Sequence, residues 1–227
     1  MSEPTAGVLG LFGGTFDPLH VAHLRLALEA REGLGLAEVC LIPTGSPALR
    51  AAPHCTASHR LAMVEQALAT LPGFSVDPGE VLAVADSPAP SYTVATLERQ
   101  RRLHGSQRPL VLLLGADAFA RLESWHRWRE LFGLAHIAVA TRPGHELTVG
   151  AGDTPLDSEF AARRGIVADL ADAPAGRIVP FAITALEISA SAIRERLARG
   201  LSVRYLVPDA VLDYIDSHQI YRTSHGH

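Results

Sequence analysis

The sequence contains no lysine: all 20 of its basic residues are arginine. That argues against a P-loop ATPase or an ordinary kinase, each of which sets a lysine on the phosphates. Any phosphate charge must instead be met by arginine, histidine, backbone N–H groups or a metal ion. Alanine and arginine enrichment without lysine also fits a GC-rich genome, so the absence narrows the chemistry without naming it. Cysteine is scarce too. Cys40 and Cys55 make no disulfide framework, and Cys40, inside an apolar run, reads as a small buried hydrophobe. His54, Cys55 and His59 lie close together but do not repeat the paired ligands of a zinc site. No run reaches the roughly 18 apolar residues of a membrane helix. The start, Met1-Ser2-Glu3-Pro4, lacks the basic-then-apolar pattern of a secretory signal. A cytoplasmic protein without a membrane partner is expected. The formal net charge of −4 argues against a general nucleic-acid binder. What the chain does have is apolar content, 48% over 227 residues, enough for a substantial core in one α/β domain.

Apolar runs alternate with helical periodicity. The pattern predicts strands at 8–12, 38–42, 74–76, 110–114, 137–140 and 178–181, and helices near 20–33, 58–71, 93–103, 127–134, 189–199 and 209–217. The runs 110–114 and 137–140 read as strands buried on both faces. The expected fold is a Rossmann-like, doubly wound parallel sheet with ligands at the carboxyl ends of its strands. The α/β core spans 8–185 and a C-terminal helical segment 186–222. Residues 143–176, rich in Gly, Ala, Asp and Pro, read as a variable excursion with one short helical pattern near 158–164.

The most telling stretch is Gly10-Leu11-Phe12-Gly13-Gly14-Thr15-Phe16-Asp17-Pro18-Leu19-His20-Val21-Ala22-His23. A strand runs into two glycines, a short loop and a helix start. Glycines let backbone N–H groups approach an anion, and a helix start adds unpaired donors and the positive end of a dipole. His20 and His23, at i and i+3, can face the same anion. On residues alone the pattern also fits a plain Gly-Gly turn with two surface histidines, or half a metal site completed by Asp17. A second anion-site pattern is Ile188-Ser189-Ala190-Ser191-Ala192-Ile193-Arg194. Here Ser189 is a plausible N-cap, Ser191 supplies a hydroxyl and Arg194 a fixed charge. An ordinary capped amphipathic helix has the same signature.

The first stretch resembles the GGTFDPxHxGH motif of the nucleotidyltransferases with a Rossmann-like fold, with Ala22 in place of a glycine. The second resembles their ISSTxIR motif, with Ala190 and Ser191 in place of serine and threonine. Arg204-Tyr205-Leu206-Val207-Pro208 resembles their RYLVP segment. Ser91-Tyr92-Thr93-Val94-Ala95-Thr96-Leu97, Gly115-Ala116-Asp117, Trp125-His126-Arg127-Trp128 and Thr141-Arg142-Pro143-Gly144 resemble segments of the bacterial nicotinate-nucleotide adenylyltransferases. The resemblance covers residues 8–222.

It implies adenylyl transfer from ATP, with Mg²⁺, to nicotinate mononucleotide, giving deamido-NAD and pyrophosphate. By resemblance His20, His23 and Arg194 are catalytic. Gly13, Gly14, Thr15, Phe16, Gly115, Asp117, Ser189 and Ser191 join them at ATP, and no residue is assigned as a metal ligand. Tyr92, Thr93, Trp125, His126 and Arg50 would hold the pyridine nucleotide, with Trp125 stacked on its ring. Bland readings stand beside these: Tyr92 and Leu97 as core, Trp128 as core, Asp117 as a helix N-cap. Where the family often reads PPHK or PPHR, this chain has Pro47-Ala48-Leu49-Arg50, and Leu49 cannot contact a phosphate. The rival functions are adenylyl transfer to the amidated nucleotide or to phosphopantetheine, a non-catalytic nucleotide-binding relative, and a metal-dependent hydrolase built on Asp17, His20 and His23. Self-association is left open.

Overall fold

The computed structural model describes residues 7–48, 52–86, 89–142 and 154–222. Its frame is a six-stranded sheet made of β1 (Leu9–Gly14), β2 (Glu38–Pro43), β3 (Phe74–Val76), β4 (Leu110–Gly115), β5 (His136–Thr141) and β6 (Ile178–Ala182), in the spatial order β3-β2-β1-β4-β5-β6. Every neighbouring pair is parallel. The chain winds outward from β1 to β3, then returns to place β4 beside β1 and winds out the other way. This is the expected doubly wound α/β arrangement, and its order reverses between β1 and β4, where Leu9 pairs with Leu110 and Leu11 with Leu112. A crevice opens above such a reversal because the connections leave in opposite directions.

The helices are α1 (Val21–Gly33), α2 (Ala57–Leu68), α3 (Gly79–Asp86), α4 (Thr93–His104), α5 (Ala116–Phe119), α6 (Leu131–Leu134), α7 (Pro155–Arg163), α8 (Ala190–Ala198) and α9 (Asp209–Ser217). Side chains alternate across a strand, and here both faces are covered. Phe12, Val39, Leu41, Val111, Leu113 and Ala138 face α1 and α2, meeting Ala27, Ala30 and Val64. Leu11, Cys40, Ile42, Leu112, Leu114 and Val139 face the other way, meeting Val94 and Leu97 of α4 with Trp128, Leu131 and Phe132. A third cluster joins Met63 of α2 to Ile193 and Leu197 of α8 and to Val211 and Ile215 of α9. The C-terminal helices therefore ride on α2.

Three local expectations change. The helix predicted over 127–134 is a 3₁₀ turn (Trp128–Glu130) followed by α6, and Arg127, left-handed at φ 53°, stands before the turn as its N-cap. Its guanidinium bonds Glu130 and Glu98. Helix α3 was not foreseen: GEVLAVAD has no polar stripe to reveal a 3.6-residue period. The short helical pattern expected near 158–164 appears as α7, begun three residues earlier. Thr154 Oγ1 accepts from Asp157 N at 3.2 Å, Asp157 Oδ2 accepts from Thr154 N at 3.1 Å, and Leu156 enters the core. The Pro143-Gly144 turn lies outside the described residues.

One glycine is required by a close approach that joins the sheet to α3. A Cβ on Gly45 would stand 2.2 Å from the Glu80 carbonyl oxygen, which is backbone and cannot rotate away. Gly45→Ala is expected to lower unfolding free energy by on the order of 2 kcal/mol. Urea denaturation of the purified variant checks this, and an unchanged midpoint refutes it.

Candidate nucleotide site

The sheet delivers Gly13 and Gly14 to the carboxyl end of β1, beside the reversal. The two glycines differ in role. A Cβ on Gly14 would meet the Phe16 ring at 2.7 Å, whereas one on Gly13 would meet nothing within 4 Å. Gly14 makes room for the loop to fold back over itself, and Gly13 leaves open space. Phe16, at φ 50°, is only 2% exposed. Its ring packs edge-on against Phe12 and against His23 at 5.1 Å. It thus offers a ligand its backbone and a wall behind His23, not its ring.

The predicted helix begins one residue later than expected. His20 is the N-cap, extended at φ −142° and ψ 170°, and His23 is the third helical residue. Their rings stack, with centroids 3.7 Å apart and 22° between planes. The His20 N–H donates to His23 Nδ1 at 3.3 Å. That bond needs the Nδ1 lone pair, so the neutral His23 ring carries its proton on Nε2. His20 is 5% exposed, and burial pushes its pKa down to about 4. It is neutral at pH 7, and its buried Nδ1 has no partner. Two stacked imidazolium rings would repel, so a neutral His20 suits the stack.

The helix start is less open than the sequence implied. Val21 N–H donates to Leu206 O at 2.9 Å and His23 N–H to His20 O at 3.0 Å. The Arg204–Pro208 segment therefore serves as a cap for α1. At the second anion-site pattern Ser189 is the N-cap of α8, accepting from Ala192 N at 3.3 Å, with Ser191 Oγ 3.1 Å from its hydroxyl. Arg194 does not project freely; its Nη1 donates to Asp17 O at 2.6 Å. This brings the two patterns together across 177 residues of chain.

Arg60 is the residue that sequence reasoning missed. It is 1% exposed, its Nη1 donates to Thr15 O at 2.8 Å and its Nη2 to Gly45 O at 2.9 Å. It clips the loops leaving β1 and β2 to α2. The available signal was its spacing: Arg60, Met63 and Val64 share one buried helix face. Asp17 is likewise engaged. Its carboxylate accepts from Tyr221 Oη, His54 N and Cys55 Sγ, so the half metal site read from the sequence is taken up by donors.

A cavity of about 640 Å³ opens at the carboxyl ends of β1, β2 and β4. Gly13, Gly14, Thr15, Tyr92, Thr93, Trp125 and His126 line it, as do the unforeseen Glu80 and Arg121. Tyr92 is 38% exposed, not core, and its ring lies 4.6 Å from that of His126. Leu97 and Trp128 are core. Glu80 Oε1 accepts from Thr96 Oγ1 at 2.6 Å, and burial raises the pKa of its carboxyl group. His20, His23, Gly115, Asp117, Ser189, Ser191 and Arg194 are not on the cavity wall. Gly115 is the N-cap of α5, and Asp117 lies in its first turn, so Asp117 is not itself the cap. Arg50 lies outside the described residues. The site thus has two halves, an aromatic cavity and a histidine–arginine junction, joined through Gly13, Gly14 and Thr15.

The cytidylyltransferase-like family matches residues 11–196. A probable nicotinate-nucleotide adenylyltransferase of Dechloromonas aromatica (strain RCB) is 55% identical over 99% of this chain and 100% of its own. One of Laribacter hongkongensis (strain HLHK9) is 47% identical over 95% and 94%. Among solved structures, the Plasmodium falciparum nicotinic acid mononucleotide adenylyltransferase complexed with NaAD has the same fold. Its TM-score is 0.69 at 16% identity, covering 95% of this chain and 97% of that one. Among the described residues no helix is long and apolar enough to cross a membrane. The chain belongs to the cytidylyltransferase-like family and, at 55% identity over nearly its whole length, groups with the nicotinate-nucleotide adenylyltransferases.

Proposed function

We propose that the protein transfers the adenylyl group of ATP to nicotinate mononucleotide, releasing pyrophosphate and forming deamido-NAD. The observation that carries this reading is the junction of two unlike half-sites at one sheet reversal. One is an aromatic cavity sized for a flat heterocycle, and the other is a stacked histidine pair tied to an arginine. The names of the relatives at 55% and 47% identity support the same substrates.

In this reading a 5′-phosphate oxygen of the pyridine nucleotide attacks the α-phosphorus of ATP in line. The bond to the bridging oxygen breaks, and its electrons leave with pyrophosphate. The nucleophile is already an anion at pH 7, so the protein's work is alignment and charge stabilisation. Gly13 leaves space for close approach. His23 presents Nε2–H as a donor, and Arg194 adds charge at the departing phosphates beside the Ser189 and Ser191 hydroxyls. Among the described residues no group of three or more His, Cys, Asp or Glu side chains is placed to hold a metal. Mg²⁺ arriving with ATP would supply charge neutralisation at the phosphates, beside the charge of Arg194 and the hydroxyls of Ser189 and Ser191. Trp125 and Tyr92 would face the pyridine ring, with Thr93 and the Trp125–His126 backbone toward its carboxylate.

Pyrophosphate release with MgATP tests the reading: strong turnover with nicotinate mononucleotide and little with the amide are expected. Equal rates would remove the carboxylate argument, and none with either would remove the function. Trp125→Ala is expected to raise KM for the pyridine nucleotide about tenfold, the worth of one aromatic stack, with KM for ATP unchanged. Steady-state kinetics with each substrate varied in turn reads this out.

His20 gives a pH prediction. In the fold it resists protonation down to about 4, against 6.5 ordinarily. The unfolded chain binds the extra proton in that window, so His20 reduces stability as pH falls from 6.5 toward 4. Phosphates beside it favour the imidazolium. The His20 ring resonance, followed by NMR, is expected to titrate near 4 in the free protein and closer to neutrality with MgATP. An unmoved midpoint would separate His20 from the phosphates. His20→Asn should lower kcat by about a hundredfold or more, with little change in either KM.

A further inference from the structure

Asp17 sits on the β1–α1 loop three residues before His20, 5% exposed. Its carboxylate receives Tyr221 Oη at 2.6 Å, the His54 amide at 2.8 Å and Cys55 Sγ at 3.3 Å. The His54 ring nitrogen Nδ1 is 3.4 Å away and Arg194 Nη1 is 3.8 Å away. The buried Arg60 guanidinium lies behind it and adds a favourable charge interaction. Burial alone would favour the neutral acid. The phenol, amide, thiol and Arg194 outweigh that and hold the carboxyl group below its ordinary pKa. The charged form is thus built in by donors from separate parts of the chain.

Tyr221 reaches this spot by an unusual route. After α9 the chain reverses through Gln219 at φ 53° and Tyr221 at φ 63°, and Ile220 N–H donates back to Ile215 O at 3.1 Å. Left-handed backbone at two non-glycine residues persists only where the surroundings determine it. What determines it here is the phenol on Asp17 and Ile220 in the α2–α8–α9 core. Asp17 in turn holds Arg194 twice, by its carbonyl at 2.6 Å and by its charge.

We infer that Asp17 and Tyr221 are positioning residues for triphosphate binding: the phenol–carboxylate bond locks Arg194 and the histidine loop in register, so the ATP site is complete only when the segment after α9 is folded onto it. The inference rests on reading this junction as an ATP site. It does not depend on which acceptor is adenylylated.

The test is ATP affinity by calorimetry at pH 7, with Mg²⁺ and no second substrate, on wild type, Tyr221→Phe, the isosteric Asp17→Asn and the double variant. Tyr221→Phe should weaken ATP binding about tenfold, the scale of one hydrogen bond to a charged group. Asp17→Asn should show a similar loss, and the double variant should lose no more than the larger single change, because both substitutions break the same bond. KM for the pyridine nucleotide should stay within about twofold, because its cavity is lined by other residues. ATP affinity equal to wild type with only a lowered melting temperature would assign Tyr221 to packing and overturn the inference. Losses that add in the double variant would overturn the route through Asp17. Wild type that binds ATP but does not turn over nicotinate mononucleotide would refute the proposed substrate and leave the inference standing.

Discussion

Arg60 brings a guanidinium into the interior, where two carbonyl oxygens and nearby anions replace the water it gave up. The carbonyls belong to Thr15 and Gly45, on the loops that leave β1 and β2. A sheet aligns the ends of its strands, but the loops beyond have no ladder to hold them. The buried cation supplies that constraint, and α2 supplies the lever, since Arg60 shares its face with Met63 and Val64. Desolvation works against the charge and lowers the Arg60 pKa, while the carboxylate of Asp17 interacts favourably with it. Removing one member of such a set strands the others without solvent. The loop that bears the histidines is therefore tied to the C-terminal helices through electrostatics as well as packing.

The reversal of strand order between β1 and β4 gives the site its two characters. On one side, α4 and the turns after β4 bring Tyr92, Thr93, Trp125 and His126 to an open cavity. On the other, α1, α8 and the segment after α9 converge on a loop of six residues. The first half is shaped by aromatic faces and suits a ring. The second is shaped by hydrogen bonds and charge and suits phosphates. Adenylyl transfer needs both a ring-bearing acceptor and a triphosphate at one place, and a doubly wound sheet offers that place.

Much of the frame was legible because buried parallel strands are written as apolar runs. All six predicted strands appear, most extended by a residue or two. Helix α9 matches its predicted span, Asp209–Ser217, because its apolar residues recur at helical spacing after Pro208. Where a pattern was weak, the reading failed: α3 has no polar face, and Arg127, read into a helix, is a left-handed residue that precedes it. At the candidate site, the glycine–histidine and serine–arginine patterns named two segments that the fold brings together. They did not tell Gly13 from Gly14, and they counted Phe16 as a contact when its ring is interior.

The sequence by itself determined the alternation of elements, the absence of lysine on the phosphates and the identity of the motif residues, because each is a local property of spacing and composition. The tertiary structure alone decided which of those residues are free to act. Asp17 read as half a metal site, yet its carboxylate is engaged by donors 37, 38 and 204 positions away. Arg60 had no role assigned from the sequence, yet it is interior and clips two loops. Arg194 read with Ser191 as a phosphate ligand, and the fold also fixes its guanidinium to the Asp17 carbonyl. Such roles come from desolvation and from partners remote in sequence, and neither exists until the chain has folded.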